Sequence, residues 1–510
     1  MTTQTNPNTP PASDHLKKST LDKDLGKIVQ VEEATRFVSR GLIAPGLAVL
    51  FIAAAVMVTS LLVGSQQNAI FVIVAAALGG YMALNIGAND SANNVGPAVG
   101  SGALSMTGAL IIAAIFESSG ALIAGGDVVS TIKKGIIDPS LVPETQTFIF
   151  IMMAALLSAA LWVNLATFLG APVSTTHSIV GGVMGAGIAA VGFAAVNWST
   201  MAKIAASWVL SPVLGGVIAA TILAFIKIKI IYQEDKIAAA RRWVPVLVAT
   251  MAAVFSCYLV MKGLKKVWKP DHYALLALGL GVFALAFFIL RPTIRAQSEG
   301  LENRNQSLRT LFRIPLICSA ALLSFAHGAN DIANAIGPLA AIVHAVQTGD
   351  IATKVGIPIW VMFIGASGIS LGLFLFGPRL IRMVGAEITR MNPMRAYCVA
   401  LSAAITVLIA STLGLPVSTT HIAVGSVFGV GFFREYFTSH SSIRKQYVQT
   451  HTRSDTLHPS RAGNREATDI QTRKLVRRSH FMTIIAAWLI TVPCAAVLAG
   501  VIFLCLSAFI

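Results

Sequence analysis

The sequence predicts an all-α polytopic membrane protein: two inverted repeats with interrupted or re-entrant helices, about 12–13 transmembrane helices in all. Three observations carry that prediction. Of 510 residues, 55% are hydrophobic and only 12% charged, with a mean hydropathy of +0.74, which excludes an ordinary soluble protein. Apolar runs of about twenty residues, the length that crosses a bilayer, recur along nearly the whole chain; the alternating segments of about ten residues that mark a β-barrel do not. Two polar strings also occur twice, in the same order, inside those runs: Gly-Ala-Asn-Asp at 87–90 and 328–331, and Pro-Val-Ser-Thr-Thr-His at 172–177 and 416–421. Polar groups are costly in hydrocarbon, so a chain that accepts them twice in matching places is building one site from two related halves.

Residues 1–41 form a polar tail without the early apolar core of a cleaved signal peptide. Within it, 15–40 mixes Leu, Ile, Val and Phe with charges, a pattern that suits an amphipathic surface helix and suits a plain cytoplasmic tail as well. Candidate spans lie near 42–64, 69–88, 108–126, 148–170, 176–196, 205–226, 243–262, 273–290, 315–335, 357–377, 395–414, 417–433 and 481–508. The expected division is an extra N-terminal helix at 42–68, a first half at 69–290, a cytoplasmic linker at 291–314, a second inverted repeat at 315–433, a basic cytoplasmic loop at 434–480 and a C-terminal helix at 481–510. The Gly/Ala-rich runs that open with Ser-Thr-Thr, at 176 and 417, are the least certain to cross.

Loop charge orients the spans. Arg36 and Arg40 precede the first span and put the N-terminus on the cytoplasmic side. The loop 227–242, with Lys227, Lys229, Lys236, Arg241 and Arg242, belongs inside too. An even number of crossings then separates them, which requires the 176–196 run to cross. The same bookkeeping places 291–314, 379–395 and 434–480 inside; the last has ten Lys and Arg against four acids. The loop 262–272, with four lysines, falls outside and argues the other way. On this count the two Gly-Ala-Asn-Asp spans run in opposite directions, the inverted-repeat arrangement of many secondary transporters. The formal charge of +16 is thus spent on orientation, and no nucleic-acid partner is expected. Five scattered cysteines, without CxxC or Cys/His clusters, suggest neither disulfides nor a zinc site.

Carboxylates and amide oxygens are hard ligands for a cation. Asn89, Asp90 and Asn93 in the first half, and Asn330, Asp331 and Asn334 in the second, are the expected cation-binding residues, with sodium at Asp90 and Asp331 or a proton on either. Gly96-Pro97 and Gly337-Pro338 follow the two strings and are expected to break the helices and free carbonyls. In Pro-Val-Ser-Thr-Thr-His, proline and hydroxyls before a Gly-rich run read as a helix start, whose N–H groups and partial positive charge suit an oxyanion. The expected anion-binding residues are Ser174, Thr175, Thr176, Ser418, Thr419 and Thr420; pure helix capping is the plainer alternative. His177 and His421 are expected to be packed. Glu117, alone in mid-span, is a coupling candidate, with Gly365 the expected counterpart in the second half.

These residues resemble the PiT family of inorganic phosphate transporters. Its GANDVAN-type signature is matched at 87–93 and 328–334, its PVSTTH strings at 172–177 and 416–421, and Phe116-Glu117-Ser118-Ser119-Gly120 is similar to its acid-bearing string. The resemblance covers roughly 69–510 and implies cation-coupled symport of phosphate, with the Asn/Asp strings on cations and the Ser/Thr strings on phosphate. It also implies a multi-pass protein of the cell (inner) membrane, with lipid as surroundings, no cofactor beyond the coupling sodium or proton, and a homodimer as one assembly. The chain departs from the family in its first 68 residues and at Ala400, where some members carry a second intramembrane Glu. A sulfate permease on the same fold is the alternative substrate reading. A passive anion channel and an intramembrane enzyme are the others, and no nucleophile with a positioned base favours the enzyme.

Overall fold

The computed structural model describes residues 42–171, 173–263, 270–351, 356–384, 391–444, 446–447 and 478–508. The N-terminal tail, Pro172, most lysines of the 262–272 loop and most of the 434–480 loop lie outside the described residues. By contacts the chain divides into Met1–Leu50 and Phe51–Ile510. In the first unit, residues 42–50 are helical. They begin α1 (Leu42–Val63), which continues into the second unit.

The further helices are α2 (Ala69–Asn89), α3 (Ser91–Gly100), α4 (Met106–Ala124), α5 (Gly126–Lys134), α6 (Thr145–Leu169), α7 (Thr175–Val191), α8 (Trp198–Ile226), α9 (Lys236–Gly263) and α10 (His272–Gln297). After them come α11 (Ser307–Leu311), α12 (Arg313–Thr348), α13 (Ile359–Met383), α14 (Pro393–Thr412), α15 (Thr419–His440) and α16 (Arg478–Ser507). No strand occurs among the described residues, as expected of a chain that must satisfy its backbone within each segment. Side chains start several of these helices: Ser105 caps α4, Asn197 caps α8, Asp271 caps α10 and Asn392 caps α14.

Among the described residues, eleven helices are long and apolar enough to cross a membrane, α2 and α3 counting as one. The two expected spans that fall short are the ones that open with Ser-Thr-Thr. Helix α7 has 17 residues, and α15 dilutes its apolar residues with Thr, Ser, Gly, Arg434 and Glu435.

The expected helix breaks at Gly-Pro are not found. Pro97 lies inside α3 and Pro338 inside the unbroken, 36-residue α12. A proline costs one backbone bond, which neighbouring helices in a bundle can absorb. The interruptions fall elsewhere: a single turn residue at Asp90 between α2 and α3, and non-helical residues just before α7 and α15.

The inverted repeat is visible in contacts that survive exchange of the halves. Helix α2 lies along α13 and α4 along α12, backbone against backbone. A Cβ on Gly87 would strike the Ile369 carbonyl, and one on Gly328 would strike the Glu117 carbonyl; likewise Gly372 meets Leu84 and Gly120 meets Phe325. Such close approach through small residues is how helices pack in lipid. Gly181 of α7 meets Val492 of α16, while Gly425 of α15 meets Pro212 of α8. Helix α2 runs antiparallel to α12: Gly79 lies against Leu339 and Ala335, while Asp90, just past the end of α2, sits with His327 and Asp331. The repeats are therefore α2/α3, α4, α6, α7, α8 and α12, α13, α14, α15, α16. Each half's last helix packs on the other half's Ser-Thr-Thr helix. Helix α16, in the stretch that the expected division sets apart, holds in the second repeat the place that α8 holds in the first. Helices α9 and α10 pair with each other between the repeats, and α10 buries only Ile294.

Candidate functional site

Helices α7 and α15 start at the centre of the molecule, each from a serine cap. Ser174 Oγ accepts from the His177 N–H (3.1 Å) and Ser418 Oγ from the His421 N–H (3.3 Å). These two serines therefore do the capping, and the next hydroxyls face the acids. Thr175 donates to Asp90 Oδ2 (2.6 Å) and Thr419 to Asp331 Oδ2 (2.8 Å).

The halves are tied by exchanged bonds. Asn93 Nδ2 donates to Thr420 Oγ1 (2.9 Å), and its counterpart Asn334 Nδ2 donates to Thr176 Oγ1 (3.1 Å) and Thr175 Oγ1 (3.2 Å). Thr420 also lies 3.4 Å from Asp90 Oδ1. On the pseudo-twofold, Ser118 Oγ meets its own counterpart, Ser370 Oγ, at 2.7 Å. All twelve nominated Asn, Asp, Ser and Thr side chains are buried, as is Glu117.

Asn89 and Asn330 have a different task from Asn93 and Asn334. Asn89 Nδ2 donates to Thr167 Oγ1 (2.9 Å) and the Ala171 carbonyl (3.3 Å), and its Oδ1 accepts from the Val173 N–H (3.2 Å). Asn330 makes the corresponding bonds to Ser411 Oγ (3.0 Å) and the Leu415 carbonyl (3.3 Å). Turning its amide over would reverse the Ser411 bond, Oδ1 then accepting from Ser411 Oγ (3.0 Å), and let Nδ2 donate to the Val417 carbonyl and to Asp331 Oδ1 (3.0 Å each). Both asparagines thus hold the non-helical residues that fix where α7 and α15 begin. His177 is packed as expected, ring centroids 3.7 Å from Trp208 and 4.4 Å from His421. Trp208 Nε1 donates to the Pro416 carbonyl (3.1 Å), bracing the second helix start from α8.

One part of the site breaks the symmetry. Glu117 accepts from Ser91 (2.8 Å) and Asn94 (2.8 Å), and His327 lies with Nδ1 3.1 Å from Glu117 Oε1 and Nε2 3.0 Å from Asp331 Oδ2. The imidazole approaches at angles outside hydrogen-bond geometry, so these are close polar contacts rather than aligned bonds. Both ring nitrogens nevertheless face carboxylates, one from each half.

The register of the glycine contacts identifies the counterparts. Glu117 corresponds to Ile369, which corrects the expected Gly365, and His327 to Ile86. Ser91 corresponds to Ile332 and Asn94 to Ala335. All four counterparts sit in one hydrophobic core cluster. A polar group of four in one position is answered by a dry apolar group of four in the other.

Three residues of this group, His327, Ser91 and Asn94, were not singled out by the sequence reading. His327 had a legible signal: it is a lone ionisable residue in a long apolar run, four residues before Asp331. Ser91 and Asn94 had none, because their partner is distant in the chain.

The centre thus combines three buried carboxylates, one imidazole, threonine hydroxyls and two helix N-termini. Donor atoms of Asp90, His327 and Asp331 lie within 4.8 Å of one another. Carboxylate, amide and hydroxyl oxygens suit a hard monovalent cation or a proton, whereas imidazole nitrogen suits softer metals. The helix starts suit an oxyanion.

The chain's similarities agree with that chemistry. A model of the phosphate transporter family matches residues 86–499. A candidate phosphate permease of Helicobacter pylori is 44% identical over 526 residues, covering 95% of this chain and 99% of that protein. One from Pyrococcus abyssi is 36% identical over 426 residues, 84% of this chain and 95% of its own length. Among solved structures, a sodium-dependent phosphate transporter superposes with a TM-score of 0.74 at 34% identity, over 86% of this chain and all of that one. By fold, by its two pairs of polar strings and by these similarities, the chain is a multi-pass membrane protein of the phosphate transporter family.

Proposed function

We propose that the protein carries inorganic phosphate across the cell (inner) membrane by cation-coupled symport, the central site opening alternately to each side, with the N-terminus in the cytoplasm. The observation that best supports this is the exchanged network in which Asp90 and Asp331 hold the threonines at the two helix starts while Asn93 and Asn334 bind across the halves. On this reading Ser174, Thr175, Thr176, Ser418, Thr419 and Thr420, with the N–H groups of α7 and α15, take phosphate. Asp90 and Asp331, with Asn89, Asn93, Asn330 and Asn334 around them, take sodium or protons. The coupling follows from the bonds. Thr175 and Thr419 spend their protons on the two aspartates; a cation that occupies those carboxylate oxygens releases the hydroxyls to turn toward an oxyanion. Glu117 reaches Asp331 through His327, whose Nε2 lies 3.0 Å from that carboxylate, and makes one side of the centre unlike the other.

Energetics support coupling. Carrying one negative charge inward against 100 mV costs about 2.3 kcal/mol, so a dianion costs roughly twice that, and each tenfold accumulation adds about 1.4 kcal/mol. Two cations that travel with the dianion cancel the electrical cost, and their own gradient drives accumulation. Sodium is the favoured ion, because the solved relative is described as sodium-dependent and the aspartates offer oxygen ligands. The network serves transport, and no covalent chemistry is assigned to it. Uptake of radiolabelled phosphate into proteoliposomes, with a sodium gradient, a pH gradient or neither, and with sulfate as competitor, tests the reading. Sodium-driven uptake that sulfate does not compete is expected. Uptake independent of both gradients would overturn it.

A further inference from the structure

A cavity of about 570 Å³ opens away from the central site, where the end of α3, the α11–α12 corner and the start of α14 meet. Ser101, Arg309, Thr310, Arg313, Asn392 and Arg395 line it. The loop-charge count assigns this face to the cytoplasm. Arg313 Nη2 reaches across to the Gly102 carbonyl (2.9 Å), so the cavity wall already joins the first repeat to the second. Behind it stands a second rank of positive charge. Lys227, only 8% exposed, lies over the Phe437 ring at 4.2 Å, within electrostatic reach of Arg395, Arg434 and Arg444. Arg395 in turn is within reach of Arg309 and Arg434. Among the described residues, Arg309, Arg313, Arg395 and Lys227 form no ion pair with a carboxylate. Apart from Glu435 beside Arg434, these gathered, part-buried charges are of one sign and repel one another, and an anion removes that cost. Three guanidinium forks around a cavity of small-molecule size suit phosphoryl oxygens in particular.

We propose that this pocket is a second anion site, separate from the central one, that binds a phosphoryl-bearing polyanion. The phosphoryl group belongs either to a soluble polyphosphate-type anion or to an anionic lipid headgroup, since basic pockets between membrane helices take headgroups by the same contacts. Because Ser101 belongs to the first repeat and Arg313 and Arg395 to the second, an occupant spans the two halves and restrains their rocking.

The test uses the purified full-length protein in neutral detergent, titrated calorimetrically with tripolyphosphate, and the same protein in phosphatidylcholine nanodiscs with and without phosphatidylglycerol, read by native mass spectrometry for retained lipid. The variants are Arg309→Gln/Arg313→Gln/Arg395→Gln and, should that triple fail to fold, the single Thr310→Glu, which places an acid in the cavity. Tripolyphosphate binding that falls about tenfold or more in either variant and weakens with salt, yet persists in Thr175→Val at the central site, assigns the soluble source. Phosphatidylglycerol retention that is lost in the variants, without tripolyphosphate binding, assigns the lipid source. Unchanged binding of both ligands in a folded variant, or no binding of either by the wild type, overturns the proposal. Since Thr175→Val reports on the central site alone, that outcome leaves the transport reading standing.

Discussion

The asymmetric cluster around Glu117 can be tested by making it symmetric. Replacing Glu117 alone with isoleucine, the residue at the counterpart position 369, strands the Ser91 hydroxyl, the Asn94 amide and one side of His327 in a site where Glu117, Ser91 and His327 are 0% exposed. Breaking a buried pair from one side costs about 3–5 kcal/mol. Two more donors lose their acceptor at about 1–3 kcal/mol each, so the single variant belongs at the upper end of the first range or beyond. The fourfold variant Ser91→Ile, Asn94→Ala, Glu117→Ile, His327→Ile instead rebuilds the packing that Ile332, Ala335, Ile369 and Ile86 make in the other position. Well-packed apolar replacement of a buried ionic group is often neutral or stabilising by about 1–4 kcal/mol. The fourfold variant is therefore expected to recover most of the stability that the single variant loses, a non-additivity that distant, independent sites do not show. Thermal unfolding in detergent, followed by tryptophan fluorescence, measures it. Gradient-driven phosphate uptake in proteoliposomes is expected to be lost in both variants. A fourfold variant no more stable than Glu117→Ile would refute the pseudo-symmetric packing argument. Normal coupled uptake by the fourfold variant would refute the coupling role of Glu117.

Three further outcomes follow from the contacts. Gly328→Ala drives a methyl into the Glu117 backbone and is expected to cost about 1–3 kcal/mol as overpacking, lowering both the melting midpoint and uptake. Gly281→Ala, with open space around its position in α10, is expected to stabilise the helix by about 0.5–1 kcal/mol. Asn93→Ala and Thr420→Val remove the two ends of one bond between the halves; their double-mutant cycle is expected to show coupling of about 0.5–3 kcal/mol, and additive losses in thermal unfolding would mean that the bond carries no weight.

The helices were legible in the sequence because lipid leaves the chain little choice: each apolar run must satisfy its own backbone, so length and hydropathy mark it directly. The polar strings were legible because they repeat and because polar residues stand out against hydrocarbon. The behaviour of Gly-Pro was not legible. The sequence identifies the lost N–H of Pro97 and Pro338, but whether the helix breaks depends on neighbours that compensate, and these are assembled only in the fold. Nor was the division of labour among the asparagines, since Asn89 and Asn93 differ only in which way each faces: one toward Ala171 and Val173, the other toward Thr420 in the opposite half.

The register of the second acid-bearing string shows the limit most clearly. Small residues are so frequent in α13 that Gly365-Ala366-Ser367-Gly368 and Gly368-Ile369-Ser370-Leu371-Gly372 both resemble the string around Glu117. Only the contact of Gly372 with the Leu84 carbonyl, matching that of Gly120 with Phe325, and the meeting of Ser118 with Ser370 decide between them. The four-residue difference changes the chemistry. A glycine opposite Glu117 would leave room for water or an ion at the second position. An isoleucine fills that room, together with Ile86, Ile332 and Ala335. The two aspartates are thus left in unlike surroundings: Asp331 shares His327 with Glu117, whereas Asp90 has only threonines as its close hydrogen-bond partners and an apolar cluster where the acid and the imidazole would be. On the proposed transport reading, two carboxylates that differ in this way are not equivalent as cation ligands. In the uptake assay that asymmetry is expected to appear as unequal losses in Asp90→Asn and Asp331→Asn, and equal losses would refute it.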